Sequence, residues 1–338
     1  MAKKRNTRLE DLAKAADVSI ATVSRALNDN PAVNQETKER IWKIARERNY
    51  VFRPSMPAVL SGASSSIAVV IPTTQTRSGT LEDPFFLELL GGVGEAAREA
   101  GLDVLISHIA PRNYDDVERL ATSHRGEGVI FLGQSFLHER FNRLTEQDSR
   151  FVVWGGEIPG QRYCSVGSDN VKGGRRATLH LARLGRKRIA FFGDTEAPEA
   201  LQRFQGYRDA LQEAGLEQCP DLVAPVFFEI ESAENAVQSL LGRGHDFDAA
   251  VCASDLIAMG VVRGLMKRGR SVPGDVSVVG YDDIQLSRYS TPALTTIAQD
   301  KAKAGRLLVS KLQSSTSGQE IHSERLPTEL IVRDSCGA

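Results

Sequence analysis

The N-terminal segment places one long hydrogen-bond donor, Arg25, among short side chains. Residues 20, 21 and 25 share one face of a helix predicted over 20–28, so Arg25 lies beside the apolar Ile20 and Ala21. The guanidinium fork of arginine matches O6 and N7 of guanine in the major groove, and a small apolar side chain can contact a thymine methyl group. Nearby short polar residues can bond phosphates: Ser19, Thr22, Ser24 and Asn28. The pattern predicts a DNA-reading helix.

Local signals predict three short helices within residues 7–50 that would position this face. Thr7 and Glu10 can form a capping box for the first helix. Ser19 and Asn34 are favourable N-caps for the second and third helices. Two short helices joined by a tight turn have the outline of a helix-turn-helix.

From residue 67 onward, short apolar runs alternate with helical stretches. The runs lie at 67–71, 102–107, 128–133, 150–155, 188–193, 248–254 and 276–281. Continuous apolar strands separated by helices are typical of parallel strands buried on both faces. Because the rhythm restarts near residue 188, we expect two doubly wound lobes of α/β type with a ligand cleft at the carboxyl ends of their strands. Residues 51–66, rich in Pro, Ser, Gly and Ala, have weak periodicity and predict a linker.

The charge of the 338-residue chain is unevenly distributed. The formal net charge is −1, but residues 1–60 carry twelve basic and seven acidic residues, a local charge of +5, and the remainder carries −6. A basic head on an acidic body indicates a polyanionic partner for the head alone. The apolar fraction of 41% is ample for a packed core and excludes wholesale disorder.

Several classes of site lack their sequence signatures. The chain has no GxxxxGK[ST] or GxSxG motif, and its six histidines show no HExxH spacing. The Gly92-Val93-Gly94 segment lies in a predicted helix, so it is not a dinucleotide fingerprint. We therefore expect no catalytic residue, no metal site and no cofactor. Four widely spaced cysteines, no apolar run of eighteen residues and no secretory signal predict a cytoplasmic protein without a membrane span.

Four segments carry a resemblance that extends over nearly the whole chain. They are LEDLAKAADVSIATVSRALN at 9–28, NYV at 49–51, VGYDD at 279–283 and LTTIAQD at 294–300. In this order they resemble the LacI/GalR family of bacterial transcription regulators. The resemblance implies a helix-turn-helix DNA-binding domain at 1–50, a hinge at 51–66, and a two-lobed effector-binding and dimerisation domain at 67–338. That last domain would resemble periplasmic binding proteins.

The resemblance also assigns Leu60 as a hinge residue that inserts into the minor groove. Inserted apolar wedges unstack a base step and kink the duplex. Pro54 and Pro57 depart from the family pattern, so either the hinge helix begins near Pro57 and is short, or it is absent. Asp17 stands in the turn where the family usually has Gly, and Asp tolerates a left-handed backbone better than most residues.

By position, the resemblance implies six effector-binding residues. Arg203 matches an arginine that binds polyols or carboxylates, and Asp282 matches an acceptor of hydroxyl groups. Asp282 also follows an apolar strand, which places it at the edge facing the cleft. A structural ion pair between Arg203 and Asp282 is the alternative. The predicted set is Phe86, Arg203, Phe228, Ser254, Asp255 and Asp282.

The resulting hypothesis is a ligand-responsive repressor of carbohydrate-utilisation genes. It would bind pseudo-palindromic double-stranded operator DNA as a homodimer, since one small head makes too few base contacts for specificity. Its effector would be a sugar, whose flat C–H faces stack on rings such as Phe86 and Phe228. Those rings could equally sandwich a purine acting as corepressor, or be plain core. A sugar-binding protein or enzyme with a degenerate head is the alternative from another class.

Overall fold

The computed structural model describes residues 9–27, 32–48, 65–72, 83–109, 117, 126–134 and 137–338. These residues fall into two compact units, divided between Ser64 and Ser65. No helix in the described ranges is long and apolar enough to cross a membrane.

The first unit contains three helices, and the second and third begin directly after their predicted N-caps, Ser19 and Asn34. They are α1 (Leu9–Ala16), α2 (Ile20–Leu27) and α3 (Gln35–Glu47). Oγ of Ser19 accepts a hydrogen bond from the Thr22 backbone N–H at 3.1 Å, and Oδ1 of Asn34 accepts one from Thr37 N–H at 2.8 Å. Apolar residues from all three helices and from the segment before α3 form a small buried core: Leu12, Ala13, Ala16, Val23, Ala26, Leu27, Val33, Ile41 and Ala45. Thr7 lies outside the described residues.

The second unit contains two six-stranded sheets, one in each lobe. The strands are β1 (Ser66–Pro72), β2 (Asp103–Ile109), β3 (Gly128–Leu132), β4 (Phe151–Trp154), β5 (Ser165–Ser168), β6 (Ile189–Phe192), β7 (Val223–Ala224), β8 (Ala249–Cys252), β9 (Ser277–Asp282), β10 (Thr295–Ala298), β11 (Glu324–Leu326) and β12 (Glu329–Ile331). The N-lobe sheet has the order β11-β5-β4-β3-β1-β2, and the C-lobe sheet has the order β12-β10-β9-β8-β6-β7. All pairings are parallel except β10 with β12.

Helices cover both sheets and bury the apolar strands. They are α4 (Pro84–Glu99), α5 (His138–Leu144), α6 (Asn170–Arg183), α7 (Pro198–Glu213), α8 (Ile230–Gly242), α9 (Asp255–Lys267) and α10 (Lys301–Thr316). The core of β1, β3 and β4 packs against α4 and α10, whereas the core of β6, β8 and β9 packs against α6 to α9. The chain therefore crosses between the lobes after β5, β10 and β11.

Candidate functional site

The second helix of the first unit presents an exposed face that contains the predicted base-reading residues. Ile20, Ala21 and Arg25 are exposed, with Ile20 retaining 50% of its accessible surface, while Val23 packs into the core. The structure thus brings Arg25, Ile20 and Ala21 together on one accessible surface.

Short polar residues surround this face. Oγ of Ser19 and Oγ1 of Thr22 lie 2.8 Å apart, so the two hydroxyls form one hydrogen-bonded pair at the start of α2. Thr22 and Ser24 are partly exposed. Helix N-termini and hydroxyl groups are common phosphate ligands, and this arrangement places both at one end of the helix. The predicted contacts of Asn28 and Leu60, and the prolines at 54 and 57, lie outside the described residues.

Asp17 adopts a left-handed backbone in the turn that joins α1 to α2. Its φ is 51°, as the sequence predicts for a position where Gly is usual. The following Val18 N–H donates to the carbonyl of Ala13 at 3.1 Å, which ends α1. The turn therefore fixes the angle at which α2 is presented without requiring glycine.

A cavity of about 170 Å³ lies at the carboxyl ends of the strands, between the two lobes of the second unit. The N-lobe lining is Pro72, Asp83, Phe85, Phe86, Leu132, Gly133, Gln134 and Trp154. The C-lobe lining is Asp194, Ala197, Glu199, Arg203, Phe227, Phe228, Glu229 and Asp282. Four of the six predicted effector residues share this cavity: Phe86, Arg203, Phe228 and Asp282.

Arg203 extends from α7 into the cavity wall, where it is 6% exposed. Its Nε donates to Oδ1 of Asn170 at 2.9 Å, and its Nη1 donates to the carbonyl of Ala253. Helices α6 and α7 pack closely enough to fix the backbone of Arg203. At Gly174 on α6, an added Cβ would lie only 2.0 Å from the Arg203 carbonyl oxygen. The guanidinium is therefore held in place by three elements of the C-lobe.

Asp282 ends β9 with a positive φ of 111°, which turns the chain at the cavity edge. Its Oδ1 accepts a hydrogen bond from Nε2 of Gln299 at 2.6 Å and lies 3.7 Å from Nη1 of Arg203. Burial is the largest effect on its carboxyl group and raises its pKa to about 7, against the opposing effect of the Arg203 charge. Asp282 thus places in the cavity wall a carboxyl group that ionises less readily than an ordinary aspartate.

Ser254 and Asp255 do not line the cavity. Ser254 caps α9 by accepting from Ile257 N–H at 3.2 Å. The Asp255 carboxylate accepts from Thr296 Oγ1 at 2.6 Å and from Ile284 N–H at 2.9 Å. The Asp255 bonds tie the start of α9 to the segment that follows β9 and to β10. Direct contact of Ser254 and Asp255 with an effector stays a prediction.

Other lining residues were not predicted from the sequence. Asp83 caps α4 through a bond from Phe85 N–H at 2.9 Å, and burial raises its pKa to about 6. Burial also raises the pKa of Glu199, in the first turn of α7. Gln134 and Asp194 each follow a strand within two residues, and that signal could have identified them. Glu229 also lines the cavity.

Lys301 lies beside the cavity and joins the two lobes. Its Nζ donates to the carbonyls of Asp282 and Asp283 at 2.9 and 2.8 Å, and lies 3.1 Å from Oε2 of Glu88 on α4. Lys301 therefore links the end of β9 to the N-lobe.

Comparison with known proteins gives matches at both ends of the chain. Residues 8–52 match the family described as bacterial regulatory proteins, lacI family, and residues 178–336 match a periplasmic binding protein-like domain. The HTH-type transcriptional regulator CelR of Thermobifida fusca is 32% identical over 99% of this chain and 100% of its own length. The HTH-type transcriptional repressor CytR of Escherichia coli (strain K12) is 33% identical over 100% of this chain and 99% of its own.

One solved structure is similar to this chain in both fold and sequence. The complex of transcriptional regulator CelR with cellobiose superposes with a TM-score of 0.71 at 29% identity, covering 98% of this chain and 100% of that one. The similarity therefore includes the helix-turn-helix unit and both lobes.

Proposed function

The chain belongs to the LacI family of bacterial regulatory proteins, and from that premise we propose that a sugar-type effector in the interlobe cavity modulates its binding to operator DNA. Family membership, as the sequence predicts, makes the protein an HTH-type transcription regulator with a periplasmic-binding-protein-like α/β domain. The repressor would bind a pseudo-palindromic operator as a homodimer in the cytoplasm, without catalysing a reaction.

The observation that carries the effector proposal is the pairing of Arg203 with Asp282 in a cavity walled by aromatic rings. A sugar needs donors and acceptors for its hydroxyls and flat apolar surfaces for its C–H faces. Arg203 and Asp282 supply the first, and Phe86 and Phe228 line the same cavity. The similar CelR has been solved with cellobiose bound.

The DNA-binding proposal assigns base contacts to the exposed face of α2 and phosphate contacts to its polar flanks. Residues 1–50 form the DNA-binding domain, 51–66 the hinge, and 67–338 the effector and dimerisation domain. The assigned DNA contacts are Ser19, Ile20, Ala21, Thr22, Ser24, Arg25, Asn28 and Leu60.

Two measurements on the full-length chain test the proposal. The operator is first selected from a random double-stranded library, and dimeric recognition predicts inverted half-sites. Sugars are then screened for a rise in melting temperature, since a ligand that binds only the folded state stabilises it. A sugar that raises the melting temperature and changes operator affinity supports the proposal. Sugars without effect on either would refute a sugar effector.

A nucleobase effector is the second candidate, because Phe86 and Phe228 lie in the same cavity on opposite lobes and could sandwich a purine. Purines and pyrimidines are therefore included in the same screen. Stabilisation by a nucleobase but by no sugar would favour this candidate.

A further inference from the structure

Two consecutive residues at the edge of the cavity have a left-handed backbone. The φ of Asp282 is 111° and that of Asp283 is 49°, and in the described part of the chain Asp17 is the one other non-glycine residue with a positive φ. A residue with a Cβ is disfavoured in this region, so two in succession persist only where surrounding contacts hold them. Because Asp282 is also the acceptor of the proposed effector site, the contacts that hold this turn also hold the site.

The crossover from β10 to α10 supplies two side chains that hold the turn. Nζ of Lys301 donates to the carbonyl of Asp282 at 2.9 Å and to that of Asp283 at 2.8 Å, so one ammonium bonds both strained residues. Nε2 of Gln299 donates to Oδ1 of Asp282 at 2.6 Å. Only 15% of the Lys301 side chain is exposed, and hydrogen bonds from a charged donor are strong where water is largely excluded. The crossover therefore fixes both the backbone and the carboxyl group of Asp282.

Helix α4 of the N-lobe fixes Lys301 in turn. A Cβ at Gly92 would lie 2.5 Å from the Lys301 carbonyl oxygen, so glycine lets α4 approach the start of α10 at this point. Glu88 lies one turn earlier on the same face of α4, with Oε2 3.1 Å from Lys301 Nζ. Its other oxygen, Oε1, accepts from Gln285 N–H at 2.7 Å. Glu88 thus neutralises the ammonium and also binds the backbone just beyond the turn.

The C-lobe contacts of this segment act on the residues after Asp282. Nη2 of Arg333 donates to Oδ1 of Asp283 at 2.5 Å. Ile284 N–H donates to Oδ2 of Asp255 at 2.9 Å, and the Ile284 side chain packs into the N-lobe core. These contacts anchor residues 283 and 284, whereas Lys301 and Gln299 bind Asp282 itself.

We infer that Lys301, with Glu88 as its counter-ion, is a positioning residue of the effector site, because it holds the strained turn that directs the Asp282 carboxyl group toward Arg203. In the held arrangement, Oδ1 of Asp282 lies 3.7 Å from Nη1 of Arg203. This inference rests on the proposed effector site and assigns to it two residues outside the described lining of the cavity. A site that is ordered before its ligand arrives binds more tightly. Loss of the ammonium lets the turn relax and therefore weakens binding of the effector.

Hydrogen exchange on the full-length protein without ligand tests whether Lys301 holds the turn. Lys301→Met removes the ammonium and keeps most of the length of the side chain. The backbone amides of Ile284 and Gln285 are expected to exchange at least tenfold faster than in the wild type, because local opening exposes them to water. Lys303→Met is the matched control, since Lys303 is exposed on the same helix. Unchanged exchange in Lys301→Met, or an equal acceleration in the control, overturns the inference.

A second variant tests the part assigned to Glu88. Glu88→Gln keeps an acceptor for the Gln285 amide and removes the charge that pairs with Lys301, so exchange of that amide is expected to accelerate at least threefold. Glu95→Gln is the control on the same helix, because it breaks an exposed ion pair between Glu95 and Arg98 within α4. Exchange at the wild-type rate in Glu88→Gln contradicts its role as the counter-ion.

A double-mutant cycle tests whether Lys301 acts through Asp282. Cellobiose, glucose, galactose and mannose are screened by melting temperature, and calorimetric titration gives the Kd of each sugar that stabilises the wild type. Lys301→Met is expected to weaken this binding at least tenfold in the wild-type background, but less than threefold in an Asp282→Ala background. Equal losses in both backgrounds overturn the inference and leave the sugar-effector proposal intact. Absence of binding to the wild type contradicts the effector proposal for these sugars, and hydrogen exchange then decides whether Lys301 holds the turn.

Discussion

The guanidinium carbon of Arg203 lies 3.7 Å from the centroid of the Tyr281 ring, and Tyr281 directly precedes Asp282 at the end of β9. A buried cation over an aromatic face is worth roughly 2 kcal/mol when it is shielded from water. The stacking therefore orients the arginine and positions the neighbouring carboxylate before any ligand binds. In the plane of the guanidinium, Nε donates to Asn170 and Nη1 donates to the Ala253 carbonyl.

Arg203→Ala and Asp282→Ala are each expected to weaken binding of the stabilising sugar while operator affinity stays within twofold. Each substitution leaves ligand groups without a partner, at a cost of roughly 1–3 kcal/mol for each unsatisfied group. Calorimetric titration of the sugar found by the melting-temperature screen measures this loss. The control Asp209→Ala removes an exposed carboxylate from the same helix, α7. Unchanged sugar affinity in both test variants would remove these residues from the site, and loss of folding would favour a structural ion pair.

Asp83→Asn is expected to make the unliganded protein more stable than the wild type at pH 7.5. Burial raises the pKa of Asp83 from 3.8 to about 6, so between these values the folded protein binds more protons than the unfolded chain. The wild type therefore loses stability as the pH rises from about 4 to about 6, by up to roughly 3 kcal/mol, and asparagine removes this loss. Melting temperatures of both proteins at pH 4.5 and pH 7.5 measure the effect. A difference between the two proteins that does not change with pH would contradict it.

The first unit could be predicted in detail because its signals are local. Ser19 and Asn34 cap helices a few residues away, and Asp17 forms a turn within its own segment. The two lobes were predictable because the apolar strand rhythm repeats along the chain. Asp282 was predictable because the carboxyl end of an apolar strand marks the cavity edge.

The composition of the cavity wall was less accessible from the sequence. Asp83 and Glu199 have no pattern that distinguishes them from other acidic residues at helix starts, and their raised pKa values depend on burial in the folded protein. Asp255 stands at a motif position where the resemblance implies a ligand contact. Its carboxylate oxygens instead accept hydrogen bonds from Thr296 and Ile284. Such assignments require contacts between distant segments, which spacing alone does not reveal.

Gly92→Ala is expected to destabilise the second unit, whereas Gly91→Ala is not. A Cβ at Gly92 would lie 2.5 Å from the Lys301 carbonyl oxygen, because α4 packs closely against the start of α10. An extra methyl group at such a contact lowers the free energy of unfolding by roughly 1–3 kcal/mol. Gly91 has no atom within 4 Å of an added Cβ, so alanine there should stabilise the helix by about 0.5–1 kcal/mol. Opposite shifts in melting temperature are expected, and equal shifts would contradict the close contact.

Arg25→Ala is expected to reduce the preference of the full-length protein for its selected operator over scrambled DNA. Arg25 is the one long donor on the exposed face of α2, beside Ile20 and Ala21. A bidentate contact with guanine discriminates by roughly 1–3 kcal/mol, so the affinity ratio should fall about 5- to 150-fold in each half-site. Lys14→Ala is the control, since it removes an exposed positive charge from α1 without altering that face. A phosphate contact affects both DNAs alike, so the control should leave the ratio unchanged. Gel-shift titrations of both DNAs at one fixed salt concentration give the ratios, and an unchanged ratio for Arg25→Ala would rule out α2 as the base-reading helix.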